Sequence, residues 1–447
     1  MKKTFASSLL AASLLVGTAA APQAAMAQPA QNGYEFNVTE KKLINKINAN
    51  KMYNTIADLS ETPRVAGTES EWRAVQYIKK KFESYGYKAK VQPFTLKSYK
   101  SPDKVSLSAD GKDYQPGFFT YTVSGQATGE LVLAGLGKKD ELQSMDLTGK
   151  IALIKRGEIS FGEKVLNAAE RGAAAVIIYN NTNGPLSGTL GQANSKYVPA
   201  LSLPKADGEA LAAKLTAGEK ITASVLAEGS KIEEKTSHNV IAEKKPLVSK
   251  NRKSDIIVVG AHHDSVESAP GANDDASGTA MTLELARIYK DVPTDKELRF
   301  VTFGAEEIGL LGSYHYVDSL SDDEIARTEA NFNLDMVGSK DAGDLVMWTL
   351  DGKENLVTQL VQKKSQKLNG KAVPFYQGGR SDHVPFAEEG IPAALFIHSP
   401  TEPWYHTPED TIDKISKDKL QDVAEIVSTS IYEQAKLDIK LPKTKAQ

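Results

Sequence analysis

The chain has 447 residues, more than one small domain accommodates, so two domains are expected. Apolar residues at 40% and charged residues at 25% suit an ordinary globular protein, and a formal charge of −3 argues against nucleic acid or an anionic membrane as the main partner. Cysteine is absent, which excludes disulfides and thiolate ligands, so any metal site must be built from His, Asp and Glu.

The N-terminus reads as a signal peptide over residues 1–27. Lys2 and Lys3 form a positive start, an apolar stretch runs from Leu9 to Ala21, and Ala25-Met26-Ala27 fits the small-x-small cleavage pattern. Gly17 and Pro22 break the apolar core, which is shorter than the ~20 residues that span a bilayer, so cleavage is favoured over a retained anchor. Loss of the leader takes the formal charge from −3 to −5. No later segment is apolar enough to span, and the mature chain is expected to be secreted, extracellular and free of the membrane.

Helical periodicity covers Lys41–Leu59 and Glu69–Tyr85, with the breaker Glu61–Thr68 between them and Thr68 as N-cap. Lys88–Thr95 alternates like a strand. Strands are expected at Glu130–Leu136, Lys150–Lys155, Ala174–Tyr179, Ala200–Leu203 and Thr222–Leu226, with a helix at Glu163–Ala173. The stretch 119–233 contains no histidine, and all seven histidines lie at His238 or beyond. It reads as a separate module inserted into a discontinuous unit made of 34–118 and 234–440. Beyond His238, strands at Asp255–Ala261, Leu298–Phe303, Ala330–Leu334, Leu345–Leu350 and Ala393–Ile397 alternate with helices. The helices are Ala276–Tyr289, Gly309–Val317, Leu356–Lys367 and Lys419–Leu437. That order predicts an α/β fold with a mixed, largely parallel sheet flanked by helices.

The acidic residues and histidines fall at strand ends. One strand runs into His262-His263-Asp264-Ser265, the next into Glu306-Glu307, and the following one into Asp335. Asn273-Asp274-Asp275 opens a helix, and His406 lies in a late loop. In open α/β sheets the carboxyl ends of strands border the ligand crevice. His and carboxylate together suit zinc or a related divalent ion. Five ligand candidates exceed one four-coordinate zinc and suit two ions that share a carboxylate. Each residue alone also has a structural reading: Glu306 and Glu307 as a solvated pair, Asp274 or Asp275 as a helix N-cap. Recurrence at successive strand ends favours the metal.

The blocks His262–Ser265, Pro270–Gly278, Gly304–Ser313 and Asn333–Gly338 resemble those of the co-catalytic di-zinc aminopeptidases, whose relatives include glutamate carboxypeptidase and the transferrin receptor ectodomain. Pro63–Thr68 is also similar to that family, and Gly149–Gly157 with Gly172–Tyr179 resembles a protease-associated domain, a β-rich α/β insert. The similarity covers nearly the whole mature chain, and its arrangement is most like secreted bacterial aminopeptidases of leucyl or arginyl type. It implies a zinc-exopeptidase fold, two zinc ions per subunit, and peptide substrates with a free N-terminus. It implies His262, Asp274, Glu307, Asp335 and His406 as ligands, with Asp274 bridging. Asn273 sets the frame that selects Asp274 over Asp275. Glu306 is then the general base, and the peptide between Asp274 and Asp275 is cis.

Asp264 is expected to orient His262 from behind. Tyr405 suits either a hydrogen bond to the tetrahedral intermediate or plain aromatic packing. Arg380, in a block that resembles a substrate-side motif, suits peptide backbone or carboxylate, with Asp382 and His383 bracing its loop. His263, His315 and His398 read as structural. A carboxypeptidase on the same scaffold would need a basic cluster, and near these blocks only Arg380 qualifies. A one-zinc glutaminyl cyclase or a non-catalytic receptor module would not need all five ligands. Nothing in the sequence fixes the oligomeric state, and a monomer satisfies it.

Overall fold

The computed structural model describes residues 36–247 and 254–437, so the expected signal peptide lies outside the described residues. Two eight-stranded sheets organise the chain. In the first, the order is Ala89–Lys100, Lys231–Lys244, Glu297–Phe303, Ile256–His262, Thr328–Leu334, Ala393–Ser399, Asp344–Thr349 and Phe375–Gln377. The four strands from Glu297 to Ser399 in that order are mutually parallel, and antiparallel neighbours flank them on both sides. The sheet is therefore mixed and largely parallel at its centre.

The central strands are apolar on both faces because both faces are covered. Ile256–His262 and Glu297–Phe303 are buried at every residue. Ile257, Val259 and Phe300 face one layer with Leu283, Ile288, Val361 and Val427 of its helices. Ile256, Val258 and Phe303 face the other layer, against Tyr316 and Phe386. The Ala276–Tyr289 helix is buried all round except at Arg287, rather than along one stripe. It lies between the sheet and the Ala49–Leu59 helix, where Glu284 accepts from Asn48 N–H at 2.7 Å.

Several elements depart from the sequence expectation. Lys41–Leu59 is two helices, Val38–Lys46 and Ala49–Leu59. Ile47 turns extended, and the Asn48 side chain caps the second helix through Lys51 N–H. The second sheet runs Lys112–Tyr114, Lys104–Ala109, Thr222–Glu228, Gly125–Leu133, Ile151–Lys155, Ala175–Tyr179, Ala200–Leu203 and Gly117–Phe118. It thus begins upstream of residue 119, because Lys104–Ala109 pairs antiparallel with Thr222–Glu228. Its helix Lys205–Thr216 was not expected: its apolar residues are mostly alanine, and it buries only Gly208 and Leu211.

A two-stranded ribbon joins the sheets. Ala89–Lys100 pairs with Lys231–Lys244 without interruption from Ala89↔Ala242 to Lys100↔Lys231.

The first described helix is held by charge. Lys364 Nζ lies 2.5 Å from Glu40 Oε1 and 2.9 Å from Glu433 Oε2, and the Lys364 and Glu40 side chains are each 3% exposed. Burial opposes ionisation of both carboxyls, but Lys364 overcomes it: Glu40 stays below its usual range and Glu433 falls to about 2. Carboxyls depressed in this way stabilise the fold fully above their unfolded pKa, and that contribution is lost as pH falls through the folded value. Lys364→Ala is expected to lower stability at pH 7 by about 3–5 kcal/mol, because it strands a buried Glu40. In urea unfolding across pH, the gap between variant and wild type should close as pH falls from about 4.5 towards about 2.

Candidate metal centre

The parallel strands aim their carboxyl ends at one cleft. His262 ends its strand, Asp335 directly follows Leu334, and Glu306 and Glu307 come just after Phe303. Asp274 immediately precedes the N-cap of the Ala276–Tyr289 helix, and His406 lies in the loop after Ser399. These six residues converge.

His262 Nε2 is 3.2 Å from Asp274 Oδ1 and 3.6 Å from Asp335 Oδ1. His406 Nε2 is 3.1 Å from Asp274 Oδ2 and 3.1 Å from Glu307 Oε2. Asp274 thus presents one oxygen to each histidine. Among the described residues, two sets place one ligand atom each within 4.8 Å of the others: His262, Asp274 and Glu307, and His262, Glu306 and Asp335. Distance alone therefore lets Glu306 serve as a ligand as well as a base.

The loops that carry these groups are strained and tied down. Ala305, Met336 and His406 are non-glycine residues with φ of 58°, 59° and 61°. Each such residue costs about 1–3 kcal/mol, and all three adjoin or belong to the site. The Asp264 carboxylate accepts from the N–H groups of Glu306 at 3.1 Å and Glu307 at 3.3 Å. Its Oδ1 lies 3.7 Å from His262 Nδ1, which is nearer, at 3.3 Å, to the main-chain oxygen of Asp264. Asp264 therefore grips the glutamate loop more closely than it grips His262.

The paired aspartates divide their work, across a cis peptide bond. Asp274 faces the cleft. Asp275 is the N-cap, accepting from Gly278 N–H at 2.8 Å and from Met336 N–H at 3.1 Å. His263 turns away, with Nδ1 3.2 Å from Thr302 Oγ1 and Nε2 3.6 Å from Glu71 Oε1. His315 stacks near Phe94, and His398 is buried and held down to about 4 by that burial.

Charge is concentrated here. Burial works against the Asp274 carboxylate, but His262 and His406 hold it below its ordinary range. Contact with Asp274 and then Glu307 lifts His406 to about 10. Burial pushes Glu306 well above the carboxylate range, with Asp382, Asp335 and Asp264 adding to the effect and His262 opposing it. Asp382 is fully buried and raised to about 7 by that burial.

The donor set fits zinc: imidazole nitrogens with carboxylate oxygens. Two of the converging atoms, Glu307 Oε1 and Asp335 Oδ1, are buried and make no hydrogen bond within the protein, which leaves them available to a cation. The cleft has a volume of about 330 Å³. Met336, Trp348, Leu395 and Ile397 form an apolar wall, and Arg380 and Tyr405 also line it. Tyr405 is 45% exposed, and its ring stacks on His406 with 3.8 Å between centroids. A larger hollow of about 450 Å³, lined by Tyr87, Lys244 and Lys290, lies at the far end of the sheet and gathers no such ligand set among the described residues.

Sequence reasoning missed the apolar wall and two buried braces, Arg64 and Asp410. Arg64 stood in the Pro63–Thr68 block and Asp410 four residues beyond His406, but their partners are distant in the chain.

Comparison with known proteins agrees with this arrangement. Residues 127–211 match the PA domain, and residues 239–431, which hold every converging residue, match peptidase family M28. The chain is 42% identical over 451 residues to aminopeptidase YwaD of Bacillus subtilis, covering 96% of this chain and 94% of that one. It is 35% identical to the probable leucine aminopeptidase 2 of Aspergillus fumigatus, over 74% of this chain and 68% of that one. Among solved structures, an aminopeptidase from Aneurinibacillus sp. strain AM-1 is 56% identical with a TM-score of 0.74, covering 89% of this chain and 96% of that one. BSAP, a zinc aminopeptidase from Bacillus subtilis, is 41% identical with a TM-score of 0.67, over 89% and 97%. A mixed sheet with His and carboxylate residues gathered at its carboxyl edge, in a chain matched along nearly its whole length by such relatives, places this protein in peptidase family M28, with a PA domain inserted.

Proposed function

We propose that this protein is a secreted aminopeptidase that removes the N-terminal residue of peptides with two zinc ions sharing Asp274. The observation that carries the reading is the Asp274 carboxylate, with one oxygen towards His262 and the other towards His406. His262, Asp274 and Asp335 would hold one ion, and Asp274, Glu307 and His406 the other. The relatives named zinc aminopeptidase and leucine aminopeptidase support this assignment, and the Lys2–Ala27 leader supports export.

Zinc supplies Lewis acidity at such a site, lowering the pKa of water and polarising a carbonyl. The side chains do the rest. Glu306, as the carboxylate, takes the proton of the attacking water and returns it to the leaving amine. The Tyr405 hydroxyl, pushed above its ordinary range by burial and then by Asp274 and Glu307, stays protonated and donates to the developing oxyanion. The carboxylates of the cleft, Asp335 among them, receive the free α-ammonium, which gives the enzyme its polarity. Met336, Trp348, Leu395 and Ile397 receive the side chain of the residue released. Arg380 is the one Arg or Lys among the described residues lining the cleft, too few to anchor a terminal carboxylate as a carboxypeptidase requires. The inserted module, without metal ligands of its own, shapes access to the cleft.

Three outcomes are expected. Chelation should abolish release of leucine from leucyl-p-nitroanilide and zinc should restore it, while N-acetylation of the substrate should nearly eliminate turnover; equal cleavage of free and blocked substrates would refute the exopeptidase reading. Leucyl and methionyl substrates should exceed the glycyl substrate in kcat/KM by at least about 10–200-fold, since even one methylene in an apolar pocket is worth about 1–3 kcal/mol; Trp348→Ala should narrow that ratio. Glu306→Gln should retain metal and lose about 10²–10⁴-fold in kcat, whereas Glu307→Gln should lose zinc and recover partly when zinc is added. Metal analysis beside rate separates the two glutamates, and the opposite pattern would exchange their roles.

A further inference from the structure

Arg64 belongs to a sequence block that none of the chemistry above uses. Its side chain is buried, with the residue 1% exposed. Its guanidinium donates to four main-chain carbonyls: Nε to His263 O at 2.7 Å, Nη1 to Leu59 O at 3.1 Å and Pro270 O at 2.5 Å, and Nη2 to Gly271 O at 2.9 Å. Two further bonds run between backbones and Ser265: Arg64 N–H donates to Ser265 Oγ at 2.9 Å, and Ser265 N–H to Arg64 O at 3.2 Å. One planar cation therefore holds both ends of the loop from His263 to Gly271, the loop that separates His262 from Asp274. A lysine ammonium, a point donor, cannot span that set. Space is tight: Gly271 has φ +64°, and a Cβ there would collide with Asp274 O, Ser265 Cβ and the guanidinium.

Asp410 grips the next stretch from the other side. Its Oδ1 accepts from Asn273 N–H at 2.8 Å and its Oδ2 from Asp274 N–H at 3.1 Å, while its main-chain oxygen accepts from Ala272 N–H at 3.2 Å. It is fully buried and lies on the loop that carries His406. The segment 270–274 thus has its carbonyls held by a buried cation and its amides held by a buried anion. Neither Arg64 nor Asp410 lines the cleft.

We propose that Arg64 and Asp410 form a clamp that positions Asp274 between His262 and His406, and so sets the spacing of the two metal subsites. Both are positioning residues, since they reach the reacting centre only through backbone. The inference rests on the reading of Asp274 as the shared ligand.

The test uses the full mature chain as wild type, Arg64→Lys, Arg64→Met, Asp410→Asn, the double variant Arg64→Met/Asp410→Asn, and Asp274→Asn as reference. Zinc content after dialysis, zinc affinity by chelator competition, the circular-dichroism spectrum and thermal midpoint are measured, with kcat and KM beside them. The clamp predicts a native spectrum with zinc affinity lowered about 10–100-fold in each single variant, typical for groups that hold ligands from behind. Excess zinc should restore kcat in Arg64→Lys, with KM little changed. The double variant should cost little more than the worse single one, because both act on one segment. Variants that melt earlier but keep zinc affinity within about twofold of wild type would reduce both residues to scaffold and overturn the proposal. Should Arg64→Met not fold, Arg64→Lys and Asp410→Asn decide the matter by the same criterion. Wild type holding fewer than two zinc equivalents, or Asp274→Asn retaining both, would instead overturn the reading beneath the clamp, and the clamp with it.

Discussion

Carboxylates a few ångströms apart repel, at about 4 kcal/mol for a pair 4 Å apart near a protein surface. The carboxyl edge of the first sheet gathers Asp274, Glu306, Glu307 and Asp335 in one cleft, with Asp264, Asp275, Asp382 and Asp410 buried around it. Much of the local architecture is an answer to that repulsion. Asp264, Asp275 and Asp410 each accept two backbone N–H groups, so their charge is spread into the loops they brace. In the cleft, Asp274, Glu307 and Asp335 face imidazoles instead, and Glu307 and Asp335 each keep one oxygen free of hydrogen bonds. Carboxylates that brace loops thus differ from those proposed to hold a cation in what lies against them.

The same division explains the backbone. Strands buried on both faces cannot bend to meet a ligand, so the geometry is adjusted in the first residues beyond them. Ala305 and Met336 each adopt a left-handed conformation two residues past their strands, and His406 does so itself. A rigid sheet beneath and strained, tightly bonded loops above are a means of presenting several side chains at fixed spacing.

Most of the alternation of buried strands and helices after His238 was plain in the sequence, because the strands read there are apolar runs and the helices read there are long enough to show their period, whereas the six-residue helices Asp322–Arg327 and His383–Glu388 and the short Phe375–Gln377 strand are not. The Ala276–Tyr289 helix has the boundaries its pattern implied. The site was legible for a related reason: His262, Glu306, Glu307 and Asp335 are charged or polar residues directly after apolar strands, where local pattern alone marks them. What escaped notice depends on distant partners. Arg64 is a buried cation whose acceptors are mostly about 200 residues away, and the cleft wall joins Met336, Trp348 and Leu395 from three strands or their ends. The Lys104–Ala109 strand is short and half polar, and only pairing with Thr222–Glu228 makes it part of a sheet. The helix break at Ile47–Asn48 interrupts no apolar period, and only the Asn48 cap, with its N–H taken up by Glu284 from another element, marks it.

The five proposed ligands are scattered along the chain, from His262 through Asp274, Glu307 and Asp335 to His406, with no two of them on one helical turn. A zinc finger gathers its ligands within a short stretch and can chelate while still unfolding or refolding locally. Among the described residues of this chain there is no such local cluster. Its first four converging positions meet only when the parallel strands are paired, and the last arrives with the loop after the Ala393–Ser399 strand. On the proposed reading, metal binding waits for strand pairing, and a half-assembled chain lacks the ligand set that cleavage requires.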